Sequence, residues 1–180
     1  MHTSLEMSER WPTFSIEIAT RAADHFTRLY YSAYDSSTRI DDLPNFYRPN
    51  SAVSWNGNPY EGSQGVRNLI SKMPKTQHEV QSFDCHPIPG ARLPAISSAL
   101  SLLTVETGSQ PPSLLITVSG NVTHGSGPGA NPAMTPKKNI EGHPRVFSQT
   151  FMLVPDNTSP PKVGEVAKYY IIADTMRFVG

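Results

Sequence analysis

Cysteine is almost missing from this chain: Cys85 stands alone among 180 residues. A lone thiol cannot close an intramolecular disulfide or build a cysteine-type zinc site, which points to a reducing compartment. A charge imbalance is missing too, since Lys+Arg and Asp+Glu number 15 each. No global field therefore favours nucleic acid or an anionic membrane. No apolar run reaches the roughly 18 residues of a membrane span. The opening MHTSLEMSERW lacks the apolar segment of a secretory signal. A soluble protein of the cytosol or nucleus, without a membrane partner, is expected. The histidines form no ligand set: His25, His78, His86, His124 and His143 show no close pairing, and His2 is in the tail. Neither a metal nor another cofactor is expected. Apolar residues make up 37%, below the roughly 45–50% of ordinary domains. Proline is part of the reason, with twelve of the 17 lying between Pro87 and Pro161.

What is present reads as a tail over residues 1–13 and one domain over 14–180. Phe14 to Tyr34 repeats Ala19, Ala22, Ala23, Phe26, Leu29, Tyr30, Ala33 and Tyr34 at three- and four-residue spacing, an amphipathic helix. Asp41-Asp42 can cap a short helix through Phe46-Tyr47 that Pro49 stops. In AVSWNGNPYEG (Ala52 to Gly62), Asn56-Gly57 are the types that accept the positive φ of a two-residue hairpin turn. This places Trp55 half-buried at a strand end, its indole N–H in need of a partner. A third helix starts at Ser63, with Val66, Leu69, Ile70 and Met73 on one side and Pro74 at its end. The period then changes from 3.6 to 2. Strands are expected over His78–His86, Ser113–Gly120, Arg145–Val154 and Lys168–Val179, with no helix between them, hence an antiparallel sheet. Insertions at about 91–112 and 123–143 are too long for hairpin loops. The fold class is α+β: three N-terminal helices on a curved antiparallel sheet.

Helices can cover only one sheet face. By parity, one face of the last three strands carries Leu114, Ile116 and Val118; Phe147, Phe151 and Leu153; and Tyr170, Ile172, Met176 and Phe178. That is the core face. The other carries Leu115, Thr117 and Ser119; Val146, Ser148, Thr150 and Met152; and Tyr169, Ile171, Ala173, Thr175 and Arg177. A solvated face would alternate in Lys, Glu and Arg, yet only Arg177 is charged. Such a surface suits burial against another protein; neither insertion is apolar enough to seal it from within. The expected partner interface is Arg177, Thr175, Ala173, Ile171, Thr150, Ser148, Met152, Thr117 and Leu115. A buried Arg177 needs a carboxylate from the partner, since an unpaired buried charge costs several kcal/mol.

FTRLYYSAYD (Phe26 to Asp35), VSWNGNPYEG (Val53 to Gly62), FDCHPIPG (Phe83 to Gly90), VFSQTFML (Val146 to Leu153) and ADTMRF (Ala173 to Phe178) resemble, in order, blocks of the nuclear transport factor two family. The resemblance implies a cone, with helices packed into the concave face of a bent sheet and a dimer made through the outer face. Within the family, the chain resembles the fungal type of small subunit of the heterodimeric mRNA export receptor. That branch implies a non-catalytic subunit of the nucleus and nuclear pore, shuttling to the cytoplasm. It implies a larger receptor chain as partner, paired through Arg177, with nucleoporins bound mainly by that partner. Extensions at the two insertions are linked in this branch to RNA or pre-ribosome contact. Family members that bind Ran-GDP carry an acidic residue where Asn56 stands and an acidic loop where THGSGPGAN lies, so no Ran-GDP binding is implied.

Two other readings compete. The same cone, left hollow, hosts isomerases and dehydratases, and Asp84, His86, Tyr30, Tyr34 and Tyr47 are candidate parts of such a site. Phe147, Phe151, Met176 and Phe178 should instead fill the cone. Direct nucleic-acid binding is the other. Between His86 and Arg145 four basic residues face two acidic ones, a net of +2. Lys137-Lys138 could touch RNA phosphates, but no stacking aromatic lies in that loop.

Overall fold

In the computed structural model, which describes residues 13–88, 111–125, 142–156 and 168–179, α1 spans Thr13–Asp35. Its Ala19, Ala23, Tyr30, Tyr31 and Tyr34 are buried, the single apolar stripe that the spacing requires. The helix ends on a carboxylate, an unfavourable charge beside the negative end of the helix dipole. Hydrogen bonds offset this. Asp35 accepts from the His78 backbone N–H at 2.7 Å and from Thr76 Oγ1 at 2.8 Å, and lies 2.6 Å from His78 Nδ1. Burial alone would raise its pKa; the His78 and Thr76 contacts outweigh it and leave the carboxyl below its ordinary value. The end of α1 is thereby tied to the start of β3 (Thr76–Ile88).

One helical turn, α2 (Arg39–Asp42), and a 3-10 turn (Leu43–Phe46) follow. Arg39 is buried and donates to the carbonyls of Met73 and Pro74 at 2.5 and 2.9 Å, just past the end of α3 (Gly62–Ser71). β1 (Tyr47–Trp55) and β2 (Asn58–Glu61) make the hairpin. Asn56 and Gly57 have φ of 47° and 88°, as the turn demands. Pro49 does not stop a helix, because the 3-10 turn has already ended at Phe46; it lies inside β1. There the ladder to β6 (Tyr169–Phe178) is irregular, between Tyr47 and Ala52, so the missing N–H of proline breaks no regular bond. Ser51 Oγ spans the gap, accepting from the Arg48 N–H at 2.8 Å and donating to the Ile171 carbonyl at 2.5 Å.

With β4 (Ser113–His124) and β5 (Arg145–Pro155), the strands form one curved sheet in the order β2-β1-β6-β5-β4-β3. β3 to β6 are antiparallel neighbours, as expected. β1 and β6 are parallel, which makes the sheet mixed. They are not consecutive, so the hairpin rule for adjacent strands does not constrain them, and the chain has α3 and four strands in which to reverse direction. The helices lie on one face, α1 against β3 and β4 and α3 against β1. Under them Leu114, Ile116, Val118, Phe147, Phe151 and Leu153 are at most 1% exposed.

The parity of β6 departs from the expected one at its start. Met152 pairs with Ala173 but Leu153 pairs with Ile171, leaving Ile172 as a bulge. Below the bulge every side chain changes side. Ile171, expected on the outer face, is fully buried in the core. Tyr170, expected in the core, is half-buried on the opposite side, with the Arg48 guanidinium over its ring.

Gly120 sits where β4 passes the bulge of β3. A Cβ there would lie 2.2 Å from the Glu79 carbonyl oxygen and 3.1 Å from Phe147 Cε1. Gly120→Ala is expected to cost about 1–3 kcal/mol, read as a lower urea midpoint at unchanged m-value.

Candidate functional site

Two surfaces are candidates, the interior of the cone and the outer sheet face. The interior holds a polar cluster on the core side of the strands. Asp174, 4% exposed, follows the apolar parity of β6, and Gln149, 2% exposed, that of β5. Tyr47 donates its hydroxyl to Asp174 Oδ2 at 2.7 Å, and Tyr30 stands 2.8 Å from the Tyr47 oxygen. Gln149 Nε2 donates to Asp174 Oδ1 at 2.9 Å and to the Tyr30 hydroxyl at 3.2 Å. Gln149 Oε1 accepts from the Tyr31 hydroxyl at 2.9 Å. Burial pushes the Asp174 pKa up to about 6, against the lowering effect of the Gln149, Tyr47 and Tyr30 hydrogen bonds. Burial also raises the phenols of Tyr30, Tyr31 and Tyr47 well above their ordinary value.

A carboxyl of that pKa beside a tyrosine is competent as a general base. Room beside Asp174 is scarce among the described residues. The space lined by Asp174, Tyr47, Trp55, Val66, Ile70 and Met176 amounts to about 10 Å³, the size of one water. Phe26 stacks on Tyr30 at a ring separation of 5.6 Å, and Phe151 meets the two edge-on at 5.1 and 4.7 Å. Trp55 lies against Phe178 at 5.6 Å. Its buried indole N–H makes no regular hydrogen bond among the described residues.

The outer face assembles most of the residues singled out by parity. Strand register aligns Ser119, Ser148 and Arg177 in one row across the sheet. Thr117, Thr150, Thr175 and Ser54 form a second row, and Leu115, Met152, Ala173 and Ala52 a third. Leu115, Thr117, Ser148, Thr150, Met152 and Ala173 are half-buried, while Thr175 and Arg177 are exposed. Thr117 and Thr150 hydroxyls meet at 3.4 Å. Arg177 forms no ion pair among the described residues. Ile171 is the exception, turned inward by the bulge.

Asp84 and His86 belong to this outer face too. They pair with Thr117 and Leu115 and are exposed, on the far side of the sheet from Tyr30 and Tyr47. They are thus separated from the tyrosines with which a catalytic site would need them. Cys85, between them, turns inward to the Ala19 carbonyl, and burial raises its thiol pKa to about 11. Lys137 and Lys138 lie outside the described residues. The interior carboxylate was not anticipated from the sequence, although the signal was there: Gln149 and Asp174 are the polar residues that interrupt the apolar parity of β5 and β6.

The family model described as "Nuclear transport factor 2 (NTF2) domain" matches residues 22–178. A Bos taurus protein named NTF2-related export protein 2 is 24% identical over 174 residues, 97% of this chain and 96% of the relative. A chain of the Chaetomium thermophilum Mex67 NTF2-like domain complexed with Mtr2 superposes with a TM-score of 0.60 at 20% identity, over 90% of this chain and 99% of that one. A putative scytalone dehydratase from Novosphingobium aromaticivorans also superposes with a TM-score of 0.60, at 10% identity, over 94% of this chain and 89% of that one. At such identities the superpositions speak to fold alone.

Asp174 makes stability depend on pH in a definite sense. Its folded pKa is raised to about 6 from an ordinary 3.8, so the folded state holds the proton more tightly than the unfolded chain. The contribution is full below about pH 4 and lost as pH rises through 6. Asp174→Asn should remove this slope. The stability of the parent chain relative to the variant, from urea titrations, is expected to fall by on the order of 2–3 kcal/mol between pH 4 and pH 7.

Proposed function

Because the chain belongs to the nuclear transport factor 2 (NTF2) domain family, we propose that it acts as a non-catalytic subunit that docks by its outer sheet face onto the NTF2-like domain of a larger nuclear export receptor. The observation that carries this reading is the contrast between the two sides of β5 and β6. One side is packed with aromatics and the Asp174 cluster, with about 10 Å³ of space beside Asp174. The other presents hydroxyl and small apolar side chains around Arg177, which has no ion-pair partner among the described residues. Interfaces of standard size bury about 800 Å² per partner, and the rows from β4 to β6 offer a platform suited to that. Arg177 supplies the cation for a partner carboxylate, and Thr117, Ser148, Thr150 and Thr175 the hydrogen-bonding groups. Leu115, Met152 and Ala173 are the apolar contacts.

The relatives named as export proteins support transport outward from the nucleus; messenger ribonucleoprotein as cargo and residence in the nucleus and at the pore are part of the proposal. Nucleoporin binding falls mainly to the larger partner, and any RNA contact by Lys137 and Lys138 is auxiliary. The packed cone supports a subunit rather than an isomerase or dehydratase, because the space beside Asp174 among the described residues is about the size of one water.

Co-expression with the NTF2-like domain of a larger export receptor should yield a 1:1 heterodimer by light scattering. Arg177→Glu is expected to abolish co-purification while far-UV circular dichroism and thermal midpoint stay at parent values. Full recovery of the complex with that variant would remove Arg177 from the interface.

A further inference from the structure

The charges of the outer face are arranged, not merely few. Following the register outward from Arg177 on β6, the same face continues onto β3 and β2. On β3, Asp84 lies across from Thr117 and Glu79 across from Asn121. On β2, Glu61 lies across from Ala52. All four charged residues are exposed, and none is ion-paired among the described residues. His86 and Tyr170 are further titratable side chains on this face, Arg48 is paired with Asp156, and exposed Lys168 lies just before the start of β6. Among the described strand residues, and apart from the Arg48–Asp156 pair, the pattern is therefore one arginine in the middle and acids on both margins, one against three. At about 4.8 Å per strand, Arg177 is roughly 14 Å from the β3 margin and roughly 10 Å from the β2 margin. Those separations exceed the screening length of about 8 Å at physiological salt, so Arg177 does not neutralise the margins of its own face.

Such a face cannot satisfy itself. In a symmetric pair of copies the two faces would bring two arginines to six carboxylates. A two-fold axis could set each Arg177 against one acid, but the remaining four would gather at the rims of the pair without cations, and excess like charge there disfavours a wrong partner. A different domain with the inverse pattern meets no such penalty.

We propose that the acidic margins make the outer face selective for a non-identical partner, a homologous domain whose sheet face is net basic, with a carboxylate opposite Arg177 and Lys or Arg opposite the β2 and β3 margins. This deepens, and rests on, the heterodimer reading above. The margins act through specificity and encounter rate more than through the affinity of any one pair, since each rim charge is worth about a twofold to fivefold change in Kd.

The test uses the full chain, alone and with the NTF2-like domain of a larger export receptor, by calorimetry and light scattering at low and high salt. Glu79→Lys/Asp84→Lys reverses one margin, and Glu79→Gln/Asp84→Asn neutralises it. All are exposed positions, and circular dichroism checks their folding. The reversal is expected to weaken the heterodimer about tenfold at low salt, with the difference shrinking at high salt, and to bring about self-association that the parent chain does not show. The neutral variant should fall between. An unchanged heterodimer affinity on reversal, or a parent chain that pairs with itself as tightly as with the partner, would overturn the proposal. Should the parent chain form no 1:1 complex at all, the heterodimer reading falls by itself. The charge rule is then decided by self-association: gained on reversal it stands, unchanged it fails.

Discussion

A carboxylate inside an apolar cone is tolerated only while donors surround it, and this requirement organises the molecule. Asp174 on β6 draws Tyr47 from β1, Gln149 from β5 and, through them, Tyr30 and Tyr31 from α1. Losing one donor would leave a charge or dipole without compensation in a medium of low dielectric. The cluster therefore pins together the parallel joint of the sheet, the antiparallel strand on its other side, and the long helix above. Its position matters because the β1–β6 ladder is interrupted between Tyr47 and Ala52. Side chains do there what the backbone ladder does elsewhere.

Strand alternation then connects inside to outside. Asp174 pointing inward obliges Ala173 and Thr175 to point outward, and Arg177 with them. The bulge at Ile172 confines that rule to the last part of β6, so the interior cluster and the exposed arginine are held by the same short run of backbone. What the outer face presents is set by what the inner face must bury.

The same cone can serve unlike purposes, since a dehydratase-like protein and export-complex components share it at low identity. Fold does not choose between them. Filling does. Aromatic rings from α1 and β5 occupy much of the described interior, and Asp174, Gln149, Tyr30, Tyr31 and Tyr47 are hydrogen-bonded to one another.

Local pattern was enough for much of this. The helix stripe of α1, the Asn56-Gly57 turn, the strands from β3 to β6 and the face of Leu115, Thr117, Ser148, Thr150, Met152, Thr175 and Arg177 follow from periodicity and turn chemistry, because each depends on neighbours within a few residues. Other features depend on distant partners and were not legible. The parallel pairing of β1 with β6 joins segments more than a hundred residues apart. The bulge that turns Ile171 inward exists only relative to Leu153. Gln149 and Asp174 broke the apolar alternation in plain view, yet only the arrival of Tyr30 and Tyr47 from elsewhere explains why two polar side chains can stay inside. Sequence determined which residues share a face; tertiary structure decided which face closes on itself and which stays open, because burial is a property of pairs of surfaces and not of a strand.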